Sequence, residues 1–345
     1  MNNEIKKSVI AKAVGAAAVF CAVVLLFSVF TDKIKSSSGN GEEYLQSSAS
    51  EGERQNFLLL GTDRASGLTD VIMLVSVDTG ERRVSVIQIP RDTYARFSDG
   101  SHRKLNSAVS ALSADGLCRF LSESMCIGIE GYCSIDLDAF SEIVDAVGGV
   151  EIDLPFDMEY SDPAQNLSIM LKAGRQTLDG ETAEQFVRYR SGYVRGDLGR
   201  MDAQKLFVSA FVKKVSEEMT PASMIKLVMA MLDDVNTNIG ITKMTSLVSL
   251  FFEVGQEDIT MLTLPGADIR SEASGAWYYV ISESSSVEAL REYAGADITA
   301  EDFDKNKVFL NSSDESFSEI YNSYIEFIPS KASDINEGGI EIRKR

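Results

Sequence analysis

Two aspartates and a set of arginines have the types and spacing that suit chemistry on phosphate. Asp63 follows the apolar run 56–61, Asp70 precedes the run 71–77, and Arg91 with Asp92 follows the run 84–89. Two carboxylates converging on an arginine can coordinate a hard divalent cation, and Mg²⁺ is commonly held by one or two carboxylates together with phosphate oxygens and water. Further along, Arg188, Arg190, Arg195 and Arg200 fall within thirteen residues, and Gln204 lies one helical turn beyond Arg200. Guanidinium groups grip phosphate bidentately and keep their charge at any working pH. The plainer alternatives are that Asp63 and Asp70 are turn and strand-end residues, and that the arginines form surface ion pairs with Glu181, Glu184 and Asp197.

The elements that must position these groups are legible around them. Each of the three apolar runs is short and continuous, as in strands covered on both faces. The turn 78–82, containing Asp and Gly, favours antiparallel pairing of the second and third strands. If the first strand pairs in the same way, Asp63, Asp70 and Arg91 with Asp92 meet at one edge of the sheet, which is the candidate active site. The arginines flank a Gly-containing loop between two helical stretches, and Phe207, Val208, Phe211 and Val212 mark the core side of the second. The apolar stripes at 206–215 and 224–232 read as core packing, with the lining of a lipid channel as the alternative.

The chain has 345 residues, with 33 Lys+Arg against 52 Asp+Glu, a formal net charge of −19. With 44% hydrophobic and 25% charged residues it is a folded globular chain, which excludes disorder of the whole. The acidic balance excludes general binding to nucleic acid, which needs clustered Lys and Arg to release counterions. Residues 13–31 carry no charge and, at about 1.5 Å per residue, form a helix close to the bilayer thickness. Lys6, Lys7 and Lys12 precede it and favour a cytoplasmic N-terminus, leaving the rest outside. No convincing cleavage site follows Phe27, so an uncleaved anchor is favoured over a signal peptide.

The expected organisation is therefore a cytoplasmic N-terminus (1–12), a transmembrane anchor (13–31), a Ser/Gly-rich linker (32–55), an extracytoplasmic domain (56–295) and an acidic extension (296–345). In the extension, Phe309, Phe317, Ile320, Tyr321, Tyr324 and Phe327 are expected to dock one helix, with the last dozen residues loose. Cys21, Cys118, Cys126 and Cys133 lack zinc spacing and read as free thiols. His102, the single histidine, reads as solvated in a polar loop.

Eight fragments in order resemble the LytR-CpsA-Psr proteins of the bacterial cell envelope. They are Leu60-Gly61-Thr62-Asp63, Thr69-Asp70 with 71–74, Ile89-Pro90-Arg91-Asp92, Lys104-Leu105-Asn106-Ser107-Ala108, 144–152, 174–180, Val187-Arg188-Tyr189-Arg190, and Gly196-Asp197-Leu198-Gly199-Arg200 with Gln204. The likeness is close over about 56–215, and Thr263-Leu264-Pro265-Gly266 with Trp277-Tyr278-Tyr279 resembles the less regular C-terminal part.

The resemblance implies an α/β (α+β) fold, a mixed central sheet flanked by helices with an apolar channel for lipid. It implies a phosphotransferase that moves an anionic glycopolymer, of teichoic acid or capsule type, from a polyprenyl pyrophosphate carrier to a peptidoglycan hydroxyl. Mg²⁺, or Mn²⁺, would bridge the pyrophosphate. By positional match Asp63 and Asp70 are the metal and acid-base carboxylates, and Arg91, Arg188, Arg190 and Gln204 hold the pyrophosphate. Lys104, Asp197 and Arg200 support the pocket. The general base stays unassigned, because a carboxylate bound to a cation is a poor base. Two departures matter: Leu68 and Ala203 stand where many members carry Arg. Arg64 or Arg195 could replace them, and otherwise a noncatalytic polyprenyl-phosphate or glycan-binding role gains ground. A transcription regulator, suggested only by the family's historical name, is opposed by charge and topology.

Overall fold

A computed structural model describes residues 54–62, 68–97, 99–163, 167–231, 234–240, 243, 247, 251–272, 274–302, 317–320, 329–340 and 342. The expected membrane anchor and nearly all of the linker lie outside the described residues, as do Asp63 and Arg64. Among the described residues, no helix is long and apolar enough to cross a membrane.

The three apolar runs form strands β1 (Arg54–Thr62), β2 (Thr69–Asp78) and β3 (Arg83–Ile89). A small hairpin, β4 (Tyr94–Arg96) and β5 (His102–Lys104), leads into helix α1 (Ala108–Met125). Strand β6 (Gly131–Ile135) and helix α2 (Leu137–Ala146) follow, with Asp136 capping the helix by accepting from the Asp138 and Ala139 amides. Two antiparallel pairs, β7 (Val150–Leu154) with β10 (Gly174–Leu178) and β8 (Met158–Asp162) with β9 (Leu167–Leu171), precede helix α3 (Gly180–Arg188). Next come α4 (Asp197–Glu218), α5 (Pro221–Met231), β11 (Asn236–Thr237), β12 (Ile259–Thr263), β13 (Gly266–Ser271), β14 (Trp277–Ile281), α6 (Glu283–Ala294), β15 (Phe317–Ile320) and β16 (Ser330–Lys331).

The central sheet runs β11-β6-β1-β2-β3-β12-β16. β2 is antiparallel to both β1 and β3, while β6 is parallel to β1 and β12 is parallel to β3. The sheet is therefore mixed, with helices on both faces, as the resemblance implies. Alternation along the strands sends Phe57, Leu59, Val71 and Met73 into a core shared with Phe140 of α2, Phe186 of α3, and Phe207 and Phe211 of α4. Leu58, Leu60, Ile72 and Leu74 enter a second core with Leu117 and Leu121 of α1 and Leu290 of α6. A strand buried on both faces needs apolar residues at every position, which accounts for the unbroken runs.

Three local expectations change. His102 lies on strand β5, not in a loop, with its ring edge-on to Tyr94 at 5.7 Å. In the C-terminal extension, Phe317 and Ile320 belong to strand β15, which pairs with β13, so residues 317–320 are not helical, while Phe309, Tyr321, Tyr324 and Phe327 lie outside the described residues. The described residues of the last dozen, 334–340 and 342, are not loose either: Ile335 is 1% exposed, Ile342 joins the first core, and Asn336 Nδ2 donates to Ser209 O at 3.1 Å. Among the described cysteines, Cys118 and Cys133 are buried free thiols and Cys126 is a half-buried one.

Candidate active site

The strand directions bring five ends to one edge of the sheet. Thr62 at the end of β1 pairs with Thr69, Ile72 pairs with Ile89 before Arg91, and the parallel strands β6 and β12 end on the same side. Asp70, Arg91 and Asp92 thus share that edge with the start of α4, while Asp63, next to Thr62 in sequence, falls outside the described residues.

Asp197 is the hub. Its Oδ1 lies 3.4 Å from Arg91 Nη2, 3.3 Å from Arg190 Nε and 3.1 Å from Arg200 Nη2. Arg91 also donates through Nη1 to Asp70 Oδ1, so one guanidinium links two carboxylates. Burial alone would raise the Asp197 carboxyl, but Arg200, Arg91 and Arg190 outweigh it and hold the group at about 2. Burial lowers the Arg91 guanidinium, and Asp197, Asp70 and Asp92 more than compensate, so its affinity for the proton rises. Among the described residues, Nε of Arg91 and Nε of Arg200 are buried without a hydrogen-bond partner. Two unused donors in a clustered cationic site are suited to an anion's oxygens.

Local backbone explains how Asp197 reaches this position. Gly196 caps α4 with φ 57°, a left-handed value that side chains disfavour. A Cβ on Gly199 would meet Tyr193 Cβ at 2.5 Å, so the loop carrying Arg195 packs directly on the first turn of α4.

The other expected residues surround the hub with partners of their own. Lys104 Nζ bonds Asp92 Oδ2 at 3.0 Å. Arg188 Nη1 bonds Glu184 Oε1 at 2.7 Å, one turn back on α3. Burial pushes the Glu184 carboxyl up to about 7; the Arg188 contact pulls the other way without cancelling burial, and Asp138 and Glu181 add to the rise. Gln204 is 1% exposed, accepts from Gln88 Nε2 at 2.8 Å and donates to Val187 O at 3.4 Å, so its amide ties α4 to β3 and α3. Arg195 pairs with Asp202 at 3.0 Å, Lys205 shares that carboxylate at 2.8 Å, and Ala203 is fully buried. The structure therefore brings Asp70, Arg91, Arg190, Asp197 and Arg200 into one network, and gives Arg188, Lys104 and Gln204 other immediate partners. Glu184 was named from sequence only as an ion-pair partner of the arginines, and it does pair with Arg188; Gln88 and Asp202 were not singled out, although Gln88 interrupts an apolar strand at a core-facing position, which is a readable signal.

Among the described residues there is no group of three or more His, Cys, Asp or Glu side chains able to enclose a metal. A cation whose shell is completed by phosphate and water needs only one or two carboxylates, and Asp70, partly exposed at this edge, is compatible with that.

A mixed sheet with helices on both faces and a carboxylate-centred arginine cluster at one edge defines an α/β domain with a cationic site suited to an anion. The profile of the LytR_cpsA_psr family matches residues 23–294, and the chain belongs to that family. It is 29% identical over 235 residues to polyisoprenyl-teichoic acid–peptidoglycan teichoic acid transferase TagV of Bacillus subtilis (strain 168), an alignment spanning 67% of this chain and 60% of that protein. The chain thus covers less than two thirds of that relative. It is 28% identical over 250 residues to the TagU transferase of Bacillus mycoides, covering 71% of this chain and 79% of that one. The crystal structure of B. subtilis TagV superposes with TM-score 0.61 at 26% identity, over 74% of this chain and 99% of that one. A structure of TagT bound to LIIa-WTA shares the fold, with TM-score 0.60 at 21% identity over 76% and 99% of the two chains.

Proposed function

We propose that this protein is a membrane-anchored phosphotransferase. It moves an anionic glycopolymer, of teichoic acid or capsule type, from a polyprenyl pyrophosphate carrier to peptidoglycan. The observation that carries this reading is the hub in which Asp197 holds Arg91, Arg190 and Arg200 together beside Asp70. Phosphoryl transfer asks little covalent chemistry of the protein and much positioning and charge neutralisation, which a preorganised arginine cluster supplies. The names of the TagV and TagU relatives support the substrate class and the acceptor. Arg91 and Arg190 grip the pyrophosphate, Arg200 and Asp197 fix their orientation, and Lys104 adds charge at the rim. Asp63 and Asp70 would hold Mg²⁺ or Mn²⁺, which when bound neutralises the phosphate oxygens. Residues 13–31 would anchor the chain with its N-terminus in the cytoplasm and the domain outside, near lipid-linked substrate. The lipid chain would occupy an apolar channel beside the sheet.

The test is transfer by the full-length chain in detergent, with a synthetic polyprenyl-pyrophosphate glycan, Mg²⁺ and peptidoglycan fragments. Wild type transfers polymer in a metal-dependent way, and Asp63→Ala and Arg91→Ala abolish it. A reporter fused to the C-terminus and found in the cytoplasm would overturn the topology.

One observation favours a second reading, a noncatalytic polyprenyl-phosphate or glycan-binding protein on the same fold. Leu68 and Ala203 are uncharged, and Arg195 is engaged with Asp202, away from the hub's carboxylates. Tight lipid binding that survives Asp63→Ala, with no transfer by wild type across several polymers, would select this reading.

A further inference from the structure

The sheet edge opposite the arginines carries a second polar feature. One row of register partners crosses five strands there: Asn56 faces Ser76, Ser76 faces Ser85, Ser85 faces Thr260, and Thr260 faces Lys331. Next along the same face, Leu58, Leu74, Ile87 and Leu262 form part of the second core. Packing against that core calls for apolar side chains, and this row supplies hydroxyls. Ser76, Ser85 and Thr260 line a cavity of about 250 Å³, with Tyr293 of α6 on its wall.

Ser76 is 2% exposed, and its Oγ has no hydrogen-bond partner among the described residues. A buried hydroxyl left unpaired is destabilising, and a ligand hydroxyl reaching it would remove that cost. Charge on the cavity wall is balanced, with Arg54, Arg83 and Lys331 against Asp78, Glu292 and Asp334. All three cations are already engaged: Arg54 with Asp78 at 2.9 Å, Arg83 with Glu81 at 3.5 Å, and Lys331 with Thr260 Oγ1 at 3.1 Å. A balanced wall has little net attraction for an anion. It offers donors and acceptors side by side, as a neutral polyhydroxylated ligand requires, and an aromatic ring for the apolar face of a sugar. The volume far exceeds the roughly 30 Å³ share of one water.

We propose that this cavity is a carbohydrate-binding site for one neutral pyranose unit, held by the hydroxyls of Ser76, Ser85 and Thr260 against Tyr293. At about 3.4 Å per residue, the six steps along β2 from Asp70 to Ser76 separate the two sites by about 20 Å, so the cavity is distinct from the arginine hub. The inference does not rest on the transfer reaction.

The experiment is saturation-transfer NMR on the full-length chain in a detergent without a sugar headgroup. The probes are glucose, galactose and N-acetylglucosamine, with inorganic phosphate as competitor. At least one sugar receives saturation, and its Kd rises at least tenfold in Ser76→Val and in Tyr293→Ala. Ser85→Ala, which removes one half-buried oxygen and leaves folding intact, raises the Kd at least threefold. Arg91→Ala leaves sugar binding unchanged, even where it abolishes transfer. The proposal is overturned if no sugar receives saturation, if binding is unaltered in Ser85→Ala, or if excess phosphate displaces the sugar.

Discussion

Nη2 of Arg91 lies 3.4 Å from Oδ1 of Asp197, joining the end of β3 to the first turn of α4 across 106 positions of sequence. The same oxygen receives Arg190 and Arg200, so one carboxylate keeps three like charges close together. Arginines held in this way need no rearrangement when a polyanion arrives, which is where preorganised electrostatics gains its effect.

Arg91→Lys keeps the charge and loses the fork that reaches Asp70 and Asp197 together. Initial rates of polymer transfer by the full-length chain fall about 100-fold or more, with the melting temperature nearly unchanged. Rates within threefold of wild type would show that Arg91 acts only as a point charge.

Asp197 stabilises the fold in a pH-dependent way. Its folded value of about 2 lies below the ordinary 3.8, so the contribution is present above pH 4 and is lost as pH falls toward 2. The shift corresponds to about 2 kcal/mol. In urea titrations, Asp197→Asn is less stable than wild type at pH 7, and the gap narrows toward pH 2.5. A gap independent of pH would contradict the three-arginine assignment.

Glu184 has the opposite sign. Its carboxyl is raised from 4.5 to about 7, so the folded state binds the proton more tightly and loses stability as pH rises through that window. Glu184→Gln removes the titration, and its melting temperature relative to wild type climbs between pH 4.5 and pH 8. A flat difference across this range would place the Glu184 carboxyl at an ordinary value.

The buried Gln88–Gln204 bond is tested by an amide cycle. Gln204→Leu leaves the Gln88 amide unpaired and costs roughly 1–3 kcal/mol. Adding Gln88→Leu recovers part of that loss, which denaturant midpoints of the four proteins measure. Strict additivity would mean that the two amides do not interact.

Ending the chain after residue 328 removes β16 and withdraws Ala332, Ile335 and Ile342 from the first core. The loss of about 4 kcal/mol follows from those buried side chains. An unchanged melting temperature would show that the segment is dispensable.

Much of this architecture was readable in advance because burial on both faces forces unbroken apolar strands. The turn 78–82 fixed the β2–β3 pairing, and strand direction then put Asp70 and Arg91 at one edge. The C-terminal strands were not readable. β16 has only Ser330 and Lys331, and a two-residue edge strand leaves no period to detect. The roles within the arginine group were equally hidden. Arg188, Arg190, Arg195 and Arg200 look alike in sequence, yet Glu184, Asp197 and Asp202 divide them among different partners. That division depends on the loop before α4, where Gly199 lets Tyr193 pack close.

The parallel pairing of β3 with β12, Val84 against Ile259, fixes an order of events in biogenesis. A chain still being synthesised can close the hairpins of β1, β2 and β3 early, but one flank of β3 has no neighbour until residue 263 has emerged. The outermost strand waits for residue 331. Such distant pairings fold slowly, so the nascent domain presents an open sheet edge for most of its synthesis. A chaperone would have to shield that edge, and a premature stop before β12 would leave it permanently open.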